Sequence, residues 1–320
     1  MNGSFEDTFS MVWLMGHRGD RDPLKIYEKF LACNLYKCIM RYNNTLTSTY
    51  ERIVLAYEKS GVDIQNISQD TIITYAGDFG LKEMGPKRGR WRGYELSGAG
   101  MGSFLAVDVE SILEKFDHWF TPNLEKKIHD RIYPLPLGIY TPNYARTLAK
   151  TTSELQAIPK TELCYANFSM TVNYRILVAE WAHQQPYINC HFPKRLQTQG
   201  QQLEMDILSD EPLSQDTLLQ TLASHQFAIC PIGNGLDTHR MWECILTNTV
   251  PIAQDNYANR IFSKIWPMIL VRRYERCNIL TMMEEFEKIH GDEIQYDHGL
   301  LLKQNLPELM ERIKYECQRS

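Results

Sequence analysis

The chain has 320 residues, of which 43% are apolar and 23% are charged, ordinary values for a globular protein with room for two domains. Its formal net charge of −5 argues against a general nucleic-acid-binding protein, which is usually basic. No stretch approaches the roughly 18 consecutive apolar residues of a membrane span, and no positively charged segment precedes an early apolar run. We therefore expect a cytoplasmic protein without a membrane span.

The N-terminal half alternates candidate strands with helical segments. We predict a strand at 9–15, one or two amphipathic helices within 24–60, strands at 72–76 and 104–109, a helix at 110–120 and an extended stretch at 132–137. A polar, basic loop occupies 85–93. The segment 140–160 contains two prolines and is where we place the hinge, so that residues 1–150 form one domain and 151–300 another.

The C-terminal half has the pattern of a parallel sheet. Strands predicted at 162–167, 187–191, 227–230, 250–253 and 268–271 alternate with helical segments, and a last helix is predicted at 306–317. The eight cysteines include no CxxC pair and lie mostly in apolar segments, which favours buried thiols over disulfides or a zinc site. The nine histidines show no HxxxH or HExxH arrangement, so we predict no catalytic metal.

Residues 227–252 are the most informative stretch, because they read as a buried strand, a glycine loop, a helix and a second strand. The loop Gly233-Asn234-Gly235 is expected to tolerate positive φ, which would let the backbone turn tightly and approach a ligand. Asp237 and Thr238 are good N-cap residue types. The apolar residues that follow have the spacing of a helix that buries one face.

Three residues in the first turns of this helix could bind a nucleotide. A helix N-terminus favours an anion, and Arg240 beside His239 would add bidentate donors to phosphate oxygens. Glu243, one turn further on, is placed to accept hydrogen bonds from vicinal hydroxyls of a ribose. The alternative is a surface pair between Arg240 and Glu243, which would contribute only tenths of a kcal/mol.

The same stretch resembles the donor-binding motif of exostosin-like glycosyltransferases, in which a Pro-Gly loop leads into an Arg-aromatic-Glu helix and then a Gly-x-(Ile/Val)-Pro strand. The matching residues are Pro231, Gly233, Asp237, Arg240, Trp242, Glu243, Val250, Pro251 and Ile252. Asn248 and Thr249 depart from the family, which usually has a glycine before the final strand. The resemblance implies an α/β fold of GT-B type, with two Rossmann-like domains facing a cleft and residues 301–320 packing back on the first domain.

The resemblance also implies a reaction. A sugar would pass from a nucleotide sugar, with a UDP-sugar the expected donor, to a hydroxyl of a glycan acceptor, without a cofactor or metal. In that architecture the loop after strand 162–167 faces the cleft, so Ser169, Asn173 and Arg175 are expected to reach the diphosphate, where a cation would stabilise the departing nucleotide. The alternative for Arg175 is a solvated helix residue. Phe192 is a candidate for stacking on the base.

Inverting transfer needs a base, and Asp78 in the Gly-Asp-Phe-Gly turn after strand 72–76 is our candidate. Its alternative is an Asp favoured by the turn itself, and a retaining reaction would leave it no role. We interpret Asp20-Arg21-Asp22 as a charged loop rather than a metal motif, and the glycines at 98–103 as a loop without GxGxxG spacing. Two other functions stay open: a noncatalytic nucleotide- or sugar-binding module, and a nucleic-acid-binding protein acting through the basic run Lys87 to Arg92.

Overall fold

The computed structural model describes residues 71–73, 81–83, 94–97, 104–107, 113, 117–138, 152–193, 208–209, 211–233, 235–291, 294–301 and 306–320. The chain divides into two compact units. One comprises Met1–Glu6 and Pro142–His298 and is called here the five-stranded unit; the other comprises Asp7–Thr141 and Gly299–Ser320 and is called the split unit. The segments predicted at 9–15 and 24–60 lie outside the described residues.

The described strands, in chain order, are β1 (Thr71–Ile73), β2 (Leu81–Glu83), β3 (Tyr94–Ser97), β4 (Phe104–Val107), β5 (His118–Thr121), β6 (Ile132–Pro134), β7 (Glu162–Ala166), β8 (Ile188–Cys190), β9 (Phe192–Pro193), β10 (Leu208–Ser209), β11 (His225–Cys230), β12 (Val250–Gln254) and β13 (Ile269–Val271). The described α-helices are α1 (Thr152–Gln156), α2 (Asn173–His183), α3 (Gln215–Ala223), α4 (His239–Leu246), α5 (Tyr257–Phe262), α6 (Ile279–His290) and α7 (Leu306–Gln318). Short 3₁₀ turns occur at Tyr274–Arg276 and His298–Leu301.

The split unit contains a parallel sheet in the order β1-β5-β6 and an antiparallel sheet in the order β2-β3-β4. Helix α7 contacts β6 and buries Leu309 and Ile313. The predicted end of the helix at residue 120 was wrong, because strand β5 already begins at His118. Trp119 and Phe120 are buried aromatics, a residue type that favours strands.

The five-stranded unit is built on a parallel sheet in the order β13-β12-β11-β7-β8. The chain passes from β7 to β8 on one side, then returns to the other side of β7 and continues through β11, β12 and β13. The strand order therefore reverses between β7 and β11, which is a topological switch point. The predicted α/β class with a parallel sheet is confirmed.

Helices cover this sheet because its strands are apolar along both faces, as in β11, where Phe227 to Cys230 are all buried. Helices α2 and α6 contribute to one core cluster, which includes Val178, Met283 and Phe286 together with side chains of the strands. Helix α3 contacts α1 and α4. Within the described residues no disulfide joins any of the cysteines.

None of the helices in the described part of the chain combines the length and the apolar character that a membrane crossing requires.

Candidate functional site

The candidate site lies in the five-stranded unit, at the carboxyl ends of β7 and β11. The two strands are paired in parallel, with Ala166 opposite Ile229, so the segments that follow them leave the sheet side by side. In open α/β sheets this edge, at the switch point, is where ligands bind. The topology thus brings together the two sets of residues predicted at 169–175 and 233–243.

Arg175 ties these two segments together. Its Nε and Nη2 donate to the carbonyl oxygens of Ile232 and Pro231, at 2.9 and 3.0 Å, and its Nη1 donates to the carbonyl of Ser169 at 3.0 Å. Its guanidinium carbon also lies 5.8 Å from the centre of the Phe168 ring. Arg175 is therefore not a solvated helix residue, since three backbone carbonyls from two loops fix its position.

Gly233 is required for a different reason from the one we predicted. Its φ is not in the positive range, so the expectation of a positive-φ turn at this residue was wrong. Instead, a Cβ added there would lie 2.8 Å from Arg175 Nη2 and 3.0 Å from Arg175 Cζ. The missing side chain makes room for the guanidinium that holds the loop.

Arg240 and Glu243 form the polar centre of the site. Arg240 donates through Nε to the carbonyl of Asn167 at 3.2 Å and through Nη2 to Asn167 Oδ1 at 3.1 Å. Its Nη1 lies 2.9 Å from Glu243 Oε2, the distance of an ion pair, although the angles are not those of a hydrogen bond. Glu243 Oε1 accepts from Gln215 Nε2 at 2.9 Å. A partly buried network thus runs from the residue after β7 through α4 to α3.

The surface-pair alternative for Arg240 and Glu243 is wrong. Their side chains are only 15% and 5% exposed, because α4 buries every residue from Met241 to Leu246 instead of one face. Sequence periodicity missed this burial, and it also missed Gln215, which lies 28 residues away on another helix. Each carboxylate oxygen has about two acceptor positions, so Glu243 keeps acceptor capacity beyond its two partners.

The N-termini of α2 and α4 share an unusual feature at this edge. Their N-cap residues are Val172 and Thr238, and neither makes a side-chain cap hydrogen bond. By contrast, α3, α5 and α6 are capped by the side chains of Ser214, Asn256 and Asn278. The N–H groups of Arg175 and Met241, the third residues of these helices, donate instead to the carbonyls of Val172 and Thr238, at 3.0 and 3.1 Å. An anion between α2 and α4 would be favoured by the positive ends of both helix dipoles.

Asp237 anchors the start of α4 to the core. Its Oδ1 accepts from Trp242 Nε1 at 2.8 Å, and both residues are buried. The Trp242 ring packs edge-on against Phe262 and Trp266, with ring centres 5.2 and 5.3 Å apart. The first turn of α4 therefore has a rigid base, which favours a preorganised binding site.

At the C-terminal end of α4, side chains from other segments donate to the carbonyl oxygens of the last residues. Its last carbonyls, those of Ile245, Leu246 and Thr247, accept from His298 Nε2, Gln156 Nε2 and Lys160 Nζ at 2.9, 2.9 and 2.8 Å. Nε2 of His298 is the donor in this bond, because a carbonyl oxygen only accepts, and burial lowers the pKa of the imidazole.

The departure from the family motif is explained by the geometry of Asn248. Its φ is 54°, in the left-handed region that usually takes glycine, and asparagine is one of the few other residues that tolerate it. The N–H of Asn248 donates to the carbonyl of Ile245, and that of Thr249 donates to Cys244. These two bonds are those of a Schellman motif, so Asn248 ends the helix as a glycine would.

The other predicted site residues have the following positions. Asn173 is exposed at the start of α2, Thr238 is the N-cap of α4, and His239 is its first helical residue. Gly235 accepts through its carbonyl from the Gly233 N–H at 3.0 Å. Phe192 is fully buried against Phe168, with ring centres 5.0 Å apart, so the prediction that it stacks on a base was wrong.

Several predicted residues fall outside the described part of the chain. They are Asn234, the candidate base Asp78, the Asp20 to Asp22 segment, the basic run Lys87 to Arg92 and the glycines at 98–103. Within the described ranges, His, Cys, Asp and Glu side chains form no group of three that could hold a metal ion.

No family model and no curated protein matches the chain. Solved structures that do match include a GtfA/B complex, with 11% identity, a TM-score of 0.35 and coverage of 92% of this chain and 61% of that chain. Another is an E. coli trehalose-6-phosphate structure bound with UDP-2-fluoro glucose, with 11% identity, a TM-score of 0.35 and coverage of 85% of this chain and 70% of that chain. A third is a putative UDP-N-acetylglucosamine 2-epimerase from Listeria monocytogenes, with 10% identity, a TM-score of 0.37 and coverage of 86% of this chain and 71% of that chain. At this level of likeness, function has to be argued from the site.

Proposed function

We propose that this chain is a glycosyltransferase of GT-B type that transfers a sugar from a nucleotide sugar, with a UDP-sugar the expected donor, to a hydroxyl of a glycan acceptor. The nucleotide diphosphate would bind at the carboxyl ends of β7 and β11. The exostosin-like motif of residues 227–252 is the reason for expecting a UDP-sugar.

One observation carries this proposal: two helices without side-chain caps, α2 and α4, start at the switch point of a parallel sheet, and Arg240 of α4 is bonded to Asn167 in the segment that leads to α2. A diphosphate could accept from both helix N-termini at once, and the positive ends of both helix dipoles favour its charge. A neutral ligand would gain less from this arrangement.

The proposed division of roles follows from the contacts. Arg240 would bind the diphosphate, and its bonds to Asn167 hold the guanidinium in a fixed orientation before the donor arrives. Thr238 and the loop from Gly233 to Gly235 would make close contacts to the phosphates. Glu243 would accept from the ribose hydroxyls while Gln215 orients its carboxylate. Arg175 would act as a positioning residue through the loops that it binds.

The chemical step would use Arg240 to stabilise the charge that develops on the departing nucleoside diphosphate, a role that a metal ion has in other transferases. We propose that no metal is needed. Asp78 is proposed as the base that removes the proton from the acceptor hydroxyl.

A second candidate is a noncatalytic nucleotide- or sugar-binding module. The observation that favours it is that Arg175 and Glu243 both have partners within the fold, so both would also be needed for stability alone. Such a module would bind nucleotide at the same edge without turnover.

Turnover separates the two candidates. The protein is incubated with a panel of nucleotide sugars, with and without EDTA, and release of free nucleoside diphosphate is measured. We expect release from one donor, unaffected by EDTA and lost in Arg240→Ala and Asp78→Asn. Arg260→Ala is the matched control, because Arg260 lies at the same edge of the sheet but is bound to Asp255 at 2.9 Å on an exposed surface.

Each outcome has a definite consequence. If the protein binds a nucleotide but releases no nucleoside diphosphate from any donor, the transferase hypothesis is wrong and the noncatalytic binding module is the better account. Release that EDTA abolishes would contradict metal independence, and release that survives Arg240→Ala would contradict the proposed site.

A further inference from the structure

The five-stranded unit contains a cavity of about 250 Å³ at the amino edge of its sheet, opposite the candidate donor site. Its lining includes Gln226 and Val250, at the starts of β11 and β12, and Phe286 near the end of α6. The two sites lie at opposite ends of the same strands, so a ligand here would not occupy the nucleotide position.

Among the described residues of this lining, Lys160 is the cation. Its Nζ donates to the carbonyl of Thr247 at 2.8 Å and to Thr249 Oγ1 at 3.0 Å. An ammonium group has three N–H donors, and both of these partners are neutral. Among the described acidic residues none forms an ion pair with Lys160. Within the described part of the chain, the charge is therefore held by two dipoles, and the ammonium keeps one donor beyond them.

The surroundings of Lys160 make this incomplete pairing costly. Burial lowers the pKa of its ammonium to about 8, which means that the charged form is poorly solvated. An anion beside Nζ would stabilise the charged form and offset that cost.

The rest of the lining indicates what kind of anion fits. Three glutamines supply amide groups, and Phe227 and Ile294 supply apolar surface. Glu287 is the acidic residue among the described residues of the lining, and it disfavours a highly charged ligand. The cavity is smaller than the roughly 300–1,000 Å³ typical of drug-sized ligands, so the occupant must be small.

We propose that the amino-edge cavity is a second ligand site, which binds a small aliphatic carboxylate through an ion pair with Lys160 and hydrogen bonds to the surrounding side-chain amides. This site is independent of the proposed transferase activity.

Calorimetric titration of the full chain with butyrate tests this inference, with butyramide as the uncharged probe of the same shape. We expect butyrate to bind, butyramide to bind at least about tenfold more weakly, and Lys160→Gln to weaken the binding of butyrate by a similar factor. Lys288→Gln, which removes an exposed lysine of α6, should leave the binding of butyrate unchanged. Because Lys160 also holds the end of α4, Gln226→Trp provides a second test: it fills the cavity, keeps Lys160, and should abolish binding.

Five results would overturn the proposal. Four are no binding of butyrate to the wild type, equal binding of butyramide, retained binding in Gln226→Trp, and loss of binding in Arg240→Ala, which would place the anion at the nucleotide site. The fifth is binding of butyrate only to a variant in which Asp292 and Glu293, which lie outside the described residues, are both changed to amides.

Discussion

Replacing Gly233 with alanine should damage the candidate site through Arg175 and not through backbone strain. The added Cβ would lie 2.8 Å from Arg175 Nη2, so the guanidinium must move back by roughly 0.6 Å to reach ordinary contact. Its three bonds to backbone carbonyls, now 2.9–3.0 Å long, would then stretch toward the limit of hydrogen bonding. Bonds from a charged donor contribute about 1.5–3 kcal/mol each, and partial relaxation leaves an expected loss of about 1–3 kcal/mol.

Urea denaturation and calorimetric titration with UDP measure the two consequences. We expect Gly233→Ala to lower the free energy of unfolding by about 1–3 kcal/mol. It should also weaken the binding of UDP by about tenfold or more, because both loops lose the contacts of Arg175 that hold them. Gly291→Ala is the matched control: its φ of +83° makes alanine costly, but its Cβ would meet open space. It should destabilise the protein by about 1 kcal/mol without changing the affinity for UDP.

A double-mutant cycle isolates the cause. If the clash with the guanidinium is responsible, Gly233→Ala should cost nothing further in an Arg175→Ala background. An undiminished cost in that background, or a wild-type affinity for UDP in the single Gly233 variant, would refute the reasoning.

Three further predictions concern other parts of the five-stranded unit. Burial lowers the pKa of Lys160 in the folded protein to about 8 from 10.5, so the unfolded chain binds more protons than the folded chain between these pH values. In urea titrations, the free energy of unfolding of the wild type relative to that of Lys160→Gln should therefore rise by about 2 kcal/mol from pH 7 to 9.5. A difference that does not change with pH would contradict the burial of Lys160. Asn248→Ala should cost about 1 kcal/mol more than Asn248→Gly in the same assay, because alanine, unlike glycine, is strained at a φ of 54°. Equal costs would count against the helix-ending role. Glu243→Gln should weaken the binding of UDP about tenfold more than that of 2′,3′-dideoxy-UDP, because both nucleotides lose the ion pair that holds Arg240 but only UDP loses a ribose contact. An equal loss for both nucleotides would show that Glu243 does not bind the ribose.

The sheet and its edge could be predicted because they depend on local patterns. Apolar runs at 162–167, 227–230 and 250–253 indicated strands, and the alternation with helices indicated a parallel sheet. The carboxyl-end rule then placed the residues after 166 and 230 on one edge. Strand order was not predictable, since it depends on which apolar strands meet in three dimensions.

The contacts of the site were less accessible to sequence reasoning. For Glu243 the sequence left an exposed helix pair open as the alternative, because periodicity does not show that α3, Phe262 and Trp266 pack against α4. Gly233 looked like a turn residue, although a side chain 58 positions earlier is the reason for its small size. Gln215 carried no signal at all, because a glutamine at the start of a helix is ordinary.

The central claim is that the carboxyl edge between β7 and β11 binds a nucleotide through its diphosphate. Calorimetric titration of the wild type, Arg240→Ala and Arg260→Ala with UDP and with uridine tests it most directly. We predict that the wild type and Arg260→Ala bind UDP alike, that Arg240→Ala binds it about tenfold or more weakly, and that uridine binds about a hundredfold more weakly than UDP. Equal binding of UDP and uridine, or unchanged binding of UDP by Arg240→Ala, would contradict the claim.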